Sequence, residues 1–266
     1  MKSIAVVHEK PVKIVRPLLA AFVSYIEKSL RRDFHAVRLL KGGGPPAIAL
    51  DKPLVVYLNH ASWWDPLMMM WLGKICYPDR SQYGPIEASQ LKRYSFFKYL
   101  GVFGVQKGSL SGARKFLRIS KQILGQPGAM LWLTPQGRFA DVRERPVKFA
   151  SGIAHLASLQ KEVAFVPLAI EYGFGQEKYP EIFLCFGKPV DSHSLGVEAQ
   201  KMQDLLEGAL DKTLTRLSKA VIERDDACFE TMLSGKGGAS LPYDLWRRLR
   251  ALWRREAPNL NHGQVS

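Results

Sequence analysis

Short apolar runs alternate along the chain with longer segments in which apolar residues recur at helical spacing. Five runs rich in aliphatic and aromatic side chains predict strands at residues 53–58, 101–107, 129–133, 163–170 and 182–190. The segments between them predict helices at residues 66–76, 89–100, 197–224 and up to residue 124, the last capped by Ser109 or Ser111. This alternation predicts an α/β fold with a mixed or mostly parallel central sheet flanked by helices. Pro167, inside the fourth run, predicts an edge position or a bulge.

Both ends of the chain predict amphipathic helices with basic polar faces. Residues 14–40 carry an apolar stripe opposite lysines and arginines, which suits a membrane interface and packing on the chain's own domain equally well. Leucines and tryptophans at residues 245–253 lie opposite arginines, a combination that favours a membrane interface over docking on the domain. We therefore predict an N-terminal helical segment at residues 1–41, one domain at 42–230, and a flexible segment with a basic helix at 231–266.

Charge and cysteine content restrict the kinds of molecule and metal ion that the chain is expected to bind. The 38 Lys and Arg residues outnumber the 24 Asp and Glu residues, giving +14 and a pI near 9.7, so we expect attraction to an anionic membrane or to nucleic acid. No zinc-finger or RNA-binding motif is present, and we predict no specific nucleic-acid partner. The three cysteines lie far apart without metal-ligand spacing, so we predict no metal site. Without a secretory signal or an apolar run near 20 residues, we expect a cytoplasmic protein peripherally associated with the membrane.

The strongest candidate for chemistry is a histidine and an aspartate five residues apart. His60 follows the predicted strand 53–58, and Asp65 with Pro66 is a typical helix start, in which Asp65 would accept hydrogen bonds from first-turn amides. If the intervening turn folds back, Asp65 can also accept the proton of one ring nitrogen of His60, leaving the other nitrogen as a base. The alternative is an ordinary helix start beside a hydrogen-bonded structural histidine.

The residues from Asn59 to Asp65 resemble the N-H-x4-D motif of the glycerolipid acyltransferases, the family that includes 1-acyl-glycerol-3-phosphate acyltransferase. Three further stretches resemble later motifs of that family and occur in the same order. Gln106-Lys107 stands where the family usually has Asp-Arg, and residues 134–138, Thr-Pro-Gln-Gly-Arg, resemble Phe-Pro-Glu-Gly-Thr-Arg. Val166-Pro167 resembles the fourth motif. The resemblance covers residues 59–170, the middle of the chain.

The resemblance implies a role for each matched position. His60 is implied as the general base and Asp65 as the residue that orients it. Substrate binding is implied for Lys107, Gln136, Gly137, Arg138 and Pro167, the last on the acyl side. Lys107 keeps a cation but lacks the planar guanidinium of arginine, and Gln136 replaces a carboxylate with a neutral amide. These two differences leave the identity of the acceptor alcohol undetermined.

The implied reaction moves a fatty acyl group from a thioester, acyl-CoA or acyl carrier protein, to a hydroxyl of a lysophospholipid or related lipid. Apart from that thioester, the resemblance implies no cofactor. Three alternatives remain open: an acyltransferase that acts on a different lipid alcohol, a non-catalytic peripheral membrane-binding protein, and a nucleic-acid binder, which only the net charge suggests.

Overall fold

One nine-stranded sheet organises the computed structural model, which describes residues 12–159, 162–192 and 198–237. The helices are α1 (Arg16–Asp33), α2 (Asp65–Cys76), α3 (Ala88–Arg93), α4 (Leu110–Leu124), α5 (Gly152–Leu159) and α6 (Ala199–Glu223). The strands are β1 (Ala36–Leu40), β2 (Leu54–Leu58), β3 (Ser81–Glu87), β4 (Val102–Val105), β5 (Ala129–Leu133), β6 (Ala164–Gly173), β7 (Glu181–Phe186), β8 (Val190–Asp191) and β9 (Phe229–Ser234). The C-terminal helix predicted at residues 245–253 lies outside the described residues.

The sheet is mixed, as predicted, with a parallel block at its centre. Its strand order is β4-β3-β5-β2-β6-β7-β1-β9, and the first five strands of that order run parallel to one another. β7 and β8 pair with β6 in the antiparallel direction, and β9 pairs with β1 in the same way. β2 lies between β5 and β6 and is the fourth of the eight strands in this order, so the residue that follows it emerges near the centre of the sheet.

Helices cover both faces of the sheet, which explains why β2 is apolar at every position rather than alternately. Val55 and Tyr57 pack with residues from α4, α5 and α6, whereas Leu54, Val56 and Leu58 pack with α1 and α2. All five of these β2 side chains are fully buried. The two helical layers therefore fix β2 firmly beneath the site described below.

The predicted single helix over residues 14–40 is wrong. α1 ends at Asp33, Phe34 adopts an extended conformation, and Ala36–Leu40 forms β1 between β7 and β9. These two partner strands lie about 145 and 195 residues further along the chain, so long-range pairing overrides the local helical spacing. α1 packs on the domain through Val23, Ile26 and Leu30. No helix among the described residues is long and apolar enough to cross a membrane.

The predicted edge or bulge at Pro167 is also wrong. β6 is an interior strand, and Pro167 pairs with Tyr57 of β2 on one side. On the other side, pairing with β8 includes Phe165 and pairing with β7 begins at Leu168, so Pro167 falls in the gap between them. Its missing N–H therefore costs the sheet little, and its carbonyl accepts from Gly187 N at 2.8 Å.

Candidate active site

The candidate site lies at the carboxyl ends of β2, β5 and β6. The loop after β2, residues 59–64, is called the β2 loop, and the loop after β5, residues 134–151, is called the β5 loop. Asn59 anchors the β2 loop, because its side chain donates to Ile170 O and accepts from Ile170 N, both at 2.9 Å. This pair of bonds extends the β2–β6 ladder by one side chain and fixes where His60 leaves the sheet.

His60 and Asp65 form the predicted contact. His60 Nδ1 lies 2.8 Å from Asp65 Oδ2, the imidazole is 15% exposed, and the carboxylate is fully buried. Because the carboxylate can only accept, we assign the proton to Nδ1. Nε2 then carries the lone pair, and no described residue hydrogen-bonds it. The arrangement leaves one imidazole nitrogen able to accept a proton from a bound hydroxyl.

Asp65 does not cap α2, contrary to the sequence prediction. Trp64 occupies the N-cap without a side-chain hydrogen bond, and Asp65 is the first helical residue. Its carboxylate is directed instead to the β2 loop and to β6: Oδ2 also accepts from Ser62 N at 2.9 Å, and Oδ1 accepts from the Tyr172 hydroxyl at 2.6 Å. Three donors therefore hold the carboxylate behind the imidazole, which leaves it no freedom to reach first-turn amides.

Tyr172 is a site residue that sequence reasoning missed. It lies near the end of β6, 107 residues from Asp65, and belongs to no motif. Burial, reinforced by the negative charge of Asp65, raises the pKa of Tyr172 well above its usual value. The phenol therefore stays protonated and donates to the carboxylate throughout the physiological pH range.

The β5 loop holds His60 from the opposite side. Gln136 Oε1 accepts from His60 N at 2.8 Å, and Ala140 N donates to His60 O at 2.8 Å, so both backbone groups of the histidine are bound by this loop. The Phe139 ring lies over the imidazole with 4.3 Å between ring centroids. Gly137 permits the loop to return, since it has φ +67° after a turn closed by its N–H to Thr134 O. Phe139 was not predicted, because nothing in the sequence distinguishes it from an ordinary apolar loop residue.

The remaining predicted substrate-binding residues make no hydrogen bond or ion pair with His60 or Asp65 in the described part of the chain. Arg138 is directed to Glu144, with its Nη1 3.1 Å from Glu144 Oε2, and also donates to Phe139 O. Lys107 follows β4, three strands from β2, which is roughly 14 Å at about 4.8 Å a strand. Its Nζ lies 3.7 Å from a carboxylate oxygen of Glu87. Pro167 is buried inside β6, and its role on the acyl side stays a prediction.

The described residues were also searched for side chains that could bind a metal ion. Within residues 12–159, 162–192 and 198–237, no group of three or more His, Cys, Asp or Glu side chains is placed to hold a metal ion.

Comparison with known proteins identifies a family to which the chain is similar. The model of the acyltransferase family matches residues 39–171, half of the chain, and this range contains His60, Asp65 and Gln136. The chain belongs to the acyltransferase family. The family resemblance predicted from the motifs is thereby confirmed.

The fold also has a counterpart of known structure. The crystal structure of the 1-acyl-sn-glycerophosphate acyltransferase PlsC from Thermotoga maritima is similar to this acyltransferase, with a TM-score of 0.50 and 16% sequence identity. The similarity covers 76% of this chain and 80% of the PlsC chain. At that identity the match supports the shared fold. A search of curated proteins found no match.

Proposed function

We propose that this acyltransferase moves a fatty acyl group from a thioester to a hydroxyl of a lysophospholipid or related lipid, with His60 as general base. The observation that carries the proposal is the 2.8 Å contact between His60 Nδ1 and the fully buried Asp65 carboxylate. It directs the basic Nε2 away from Asp65 and leaves the imidazole partly exposed. Membership of the acyltransferase family supports the same reaction class.

The proposed reaction requires no covalent enzyme intermediate. Nε2 takes the hydroxyl proton as the acceptor oxygen attacks the thioester carbonyl, and Asp65 stabilises the imidazolium that forms. The C–O bond is made, the C–S bond breaks, and the imidazolium returns the proton to the leaving thiolate. A positioned base of this kind accelerates a reaction by about 10²- to 10⁴-fold. Acyl-CoA and acyl carrier protein are both proposed as donors.

Transfer of a radiolabelled acyl group tests the proposal. Wild-type protein is incubated with acyl-CoA or acyl carrier protein and a panel of lysophospholipids, monoacylglycerol and other lipid alcohols, beside His60→Ala. We expect acylated product from the wild type and a rate lower by about 10²-fold or more from the variant. Matched circular dichroism spectra and melting temperatures establish that both proteins are folded. Absence of product across the panel would contradict the proposed function and favour a non-catalytic membrane-binding protein.

We also propose a peripheral contact with an anionic membrane, through an aromatic patch formed by Phe22, Tyr25, Tyr94, Phe96 and Phe97. The rings of Phe22 and Phe96 lie 5.4 Å apart, and the Tyr25 side chain is 58% exposed. Exposed basic residues adjoin the patch at Lys92, Arg93 and Lys98. Aromatic rings beside cations suit the boundary between lipid headgroups and acyl chains. Since both proposed donors are cytoplasmic molecules, we place this contact on the cytoplasmic side.

Sedimentation with lipid vesicles tests the membrane contact. We expect binding to vesicles containing anionic lipid to exceed binding to zwitterionic vesicles, and to fall at least severalfold in the double variant Tyr25→Ser/Phe96→Ser. Ile222→Ser is the matched control, because Ile222 is an exposed apolar residue on α6, away from the patch. An equal loss in both variants would contradict a role specific to the patch.

A further inference from the structure

The charges around the dyad identify a class of acceptor. The β2 loop contains no Lys or Arg, so its contribution to substrate recognition is uncharged. Every cation of the β5 loop pairs with a carboxylate: Arg138 with Glu144, Arg143 with Asp141, Arg145 with Asp211 and Lys148 with Glu207. The two loops that hold His60 therefore offer little net positive charge to a bound anion.

Arg138 matters most, because Gln136, two residues before it, and Phe139, the residue after it, both contact His60. Its guanidinium directs two nitrogens to the Glu144 carboxylate, a pairing that cancels its charge locally. A phosphate monoester carries between one and two negative charges at neutral pH, and one bound at Arg138 would lie against that carboxylate. Repulsion by Glu144 would thus offset most of the attraction by Arg138.

An aromatic side chain covers the imidazole of the dyad, and a second exposed ring lies in the β2 loop. Phe139 lies over the imidazole and is 59% exposed, and Trp63, three residues after His60, is 69% exposed. Such rings favour contact with glycerol carbons and acyl chain over a phosphate, which would lose hydration against them without gaining a donor. The two loops that hold His60 therefore combine exposed aromatic rings with paired charges.

We propose that the acceptor is a neutral lipid alcohol, with no phosphate monoester beside its reactive hydroxyl. This inference rests on the proposed function, since it concerns the same site. It selects between two acceptors that share the reactive hydroxyl and differ only in the phosphate: 1-acylglycerol and 1-acylglycerol-3-phosphate.

Kinetics with this matched pair provide the first test. We expect kcat/KM of the wild-type protein for 1-acylglycerol to exceed that for its 3-phosphate by about tenfold or more. An equal or higher value for the phosphate would overturn the inference and leave the proposed acyl transfer intact. Failure to acylate any lipid alcohol would instead contradict the proposed function.

The variant Glu144→Gln tests the cause of the preference. Removing the carboxylate leaves Arg138 with an uncancelled charge, so we expect the ratio of kcat/KM values to shift toward the phosphate acceptor by about fivefold, the effect of one charge about 4 Å away in water. Asp141→Asn is the control, because it removes a carboxylate from the same loop whose partner is Arg143. An equal shift in both variants, or no shift in Glu144→Gln, would contradict the explanation that Glu144 cancels the charge of Arg138.

Binding separates the inference from catalysis. His60→Ala protein is titrated with water-soluble short-chain 1-acylglycerol and with its 3-phosphate by calorimetry. Tighter binding of the neutral compound supports the inference even if the wild type transfers no acyl group. Tighter binding of the phosphate, or binding of neither compound, overturns it.

Discussion

The β2 loop and the β5 loop reach the same imidazole from adjacent strands, but they differ in what they contribute. The β2 loop and the start of α2 contribute the titratable pair, His60 and Asp65, which lie five residues apart in sequence. The β5 loop binds the backbone of His60 through Gln136 and Ala140, and it covers the imidazole ring with Phe139. Each of its four cations forms an ion pair with a carboxylate. A residue that matches a family motif, such as Gln136, can therefore position the histidine rather than contact the substrate.

The largest effect is expected in the first of these regions. Asp65→Asn should lower kcat roughly 10²-fold or more, because the amide offers Nδ1 a donor as readily as an acceptor and no longer selects the tautomer with Nε2 unprotonated. Steady-state transfer assays at saturating substrate measure the effect. A loss below threefold in a folded variant would mean that the carboxylate does not orient a base.

A smaller effect is expected from the β5 loop. Gln136→Ala leaves the partly buried N–H of His60 without its acceptor, and we expect kcat to fall about tenfold, equivalent to ~1.4 kcal/mol. Gln136→Glu keeps an acceptor oxygen in place and should recover most of that loss. If Gln136→Ala instead raises KM and leaves kcat unchanged, Gln136 binds substrate directly, as the motif resemblance implies, and the contrast between the loops fails.

Tyr172→Phe should have a still smaller effect. The variant removes one of three donors to the Asp65 carboxylate and leaves the bonds from His60 and Ser62, so we expect kcat to fall about fivefold with KM nearly unchanged. Stopped assays at saturating thioester distinguish the two constants. A loss as large as that of Asp65→Asn would show that Tyr172 takes part in the chemistry itself.

The smallest effect on activity is expected from a buried residue outside both loops. Arg80 donates to the carbonyls of Ile48, Ala49, Lys52 and Ala129 and is 6% exposed. Arg80→Met removes the donor that these four carbonyls share, so we expect the free energy of unfolding to fall by about 2–4 kcal/mol while kcat at 25 °C stays the same. Urea denaturation measures the stability, and a fall in kcat would mean that this network also shapes the site.

The part of the site that sequence reasoning predicted is the part encoded locally. His60 and Asp65 are separated by one turn between a strand and a helix, so their contact follows from spacing and hydrogen-bonding chemistry alone. The central strands were predicted for a similar reason, since β2 and β5 are continuous apolar runs.

The features that were missed depend on partners distant in sequence. β1 forms only because β7 and β9 pair with it, and the local helical spacing of residues 14–40 conceals this. Tyr172 reaches Asp65 through the register of β6, and Arg138 is neutralised by a glutamate in its own irregular loop. Propensity and periodicity carry no information on these contacts, so the proposed acceptor preference could not be derived from the sequence.

The most direct test of the dyad is a double-mutant cycle on acyl transfer with His60→Ala, Asp65→Asn and the combined variant. If Asp65 acts through His60, the combined variant should be no slower than His60→Ala alone, because the aspartate has no base left to orient. If the two losses multiply instead, the residues act independently, and His60 is not a base held by Asp65.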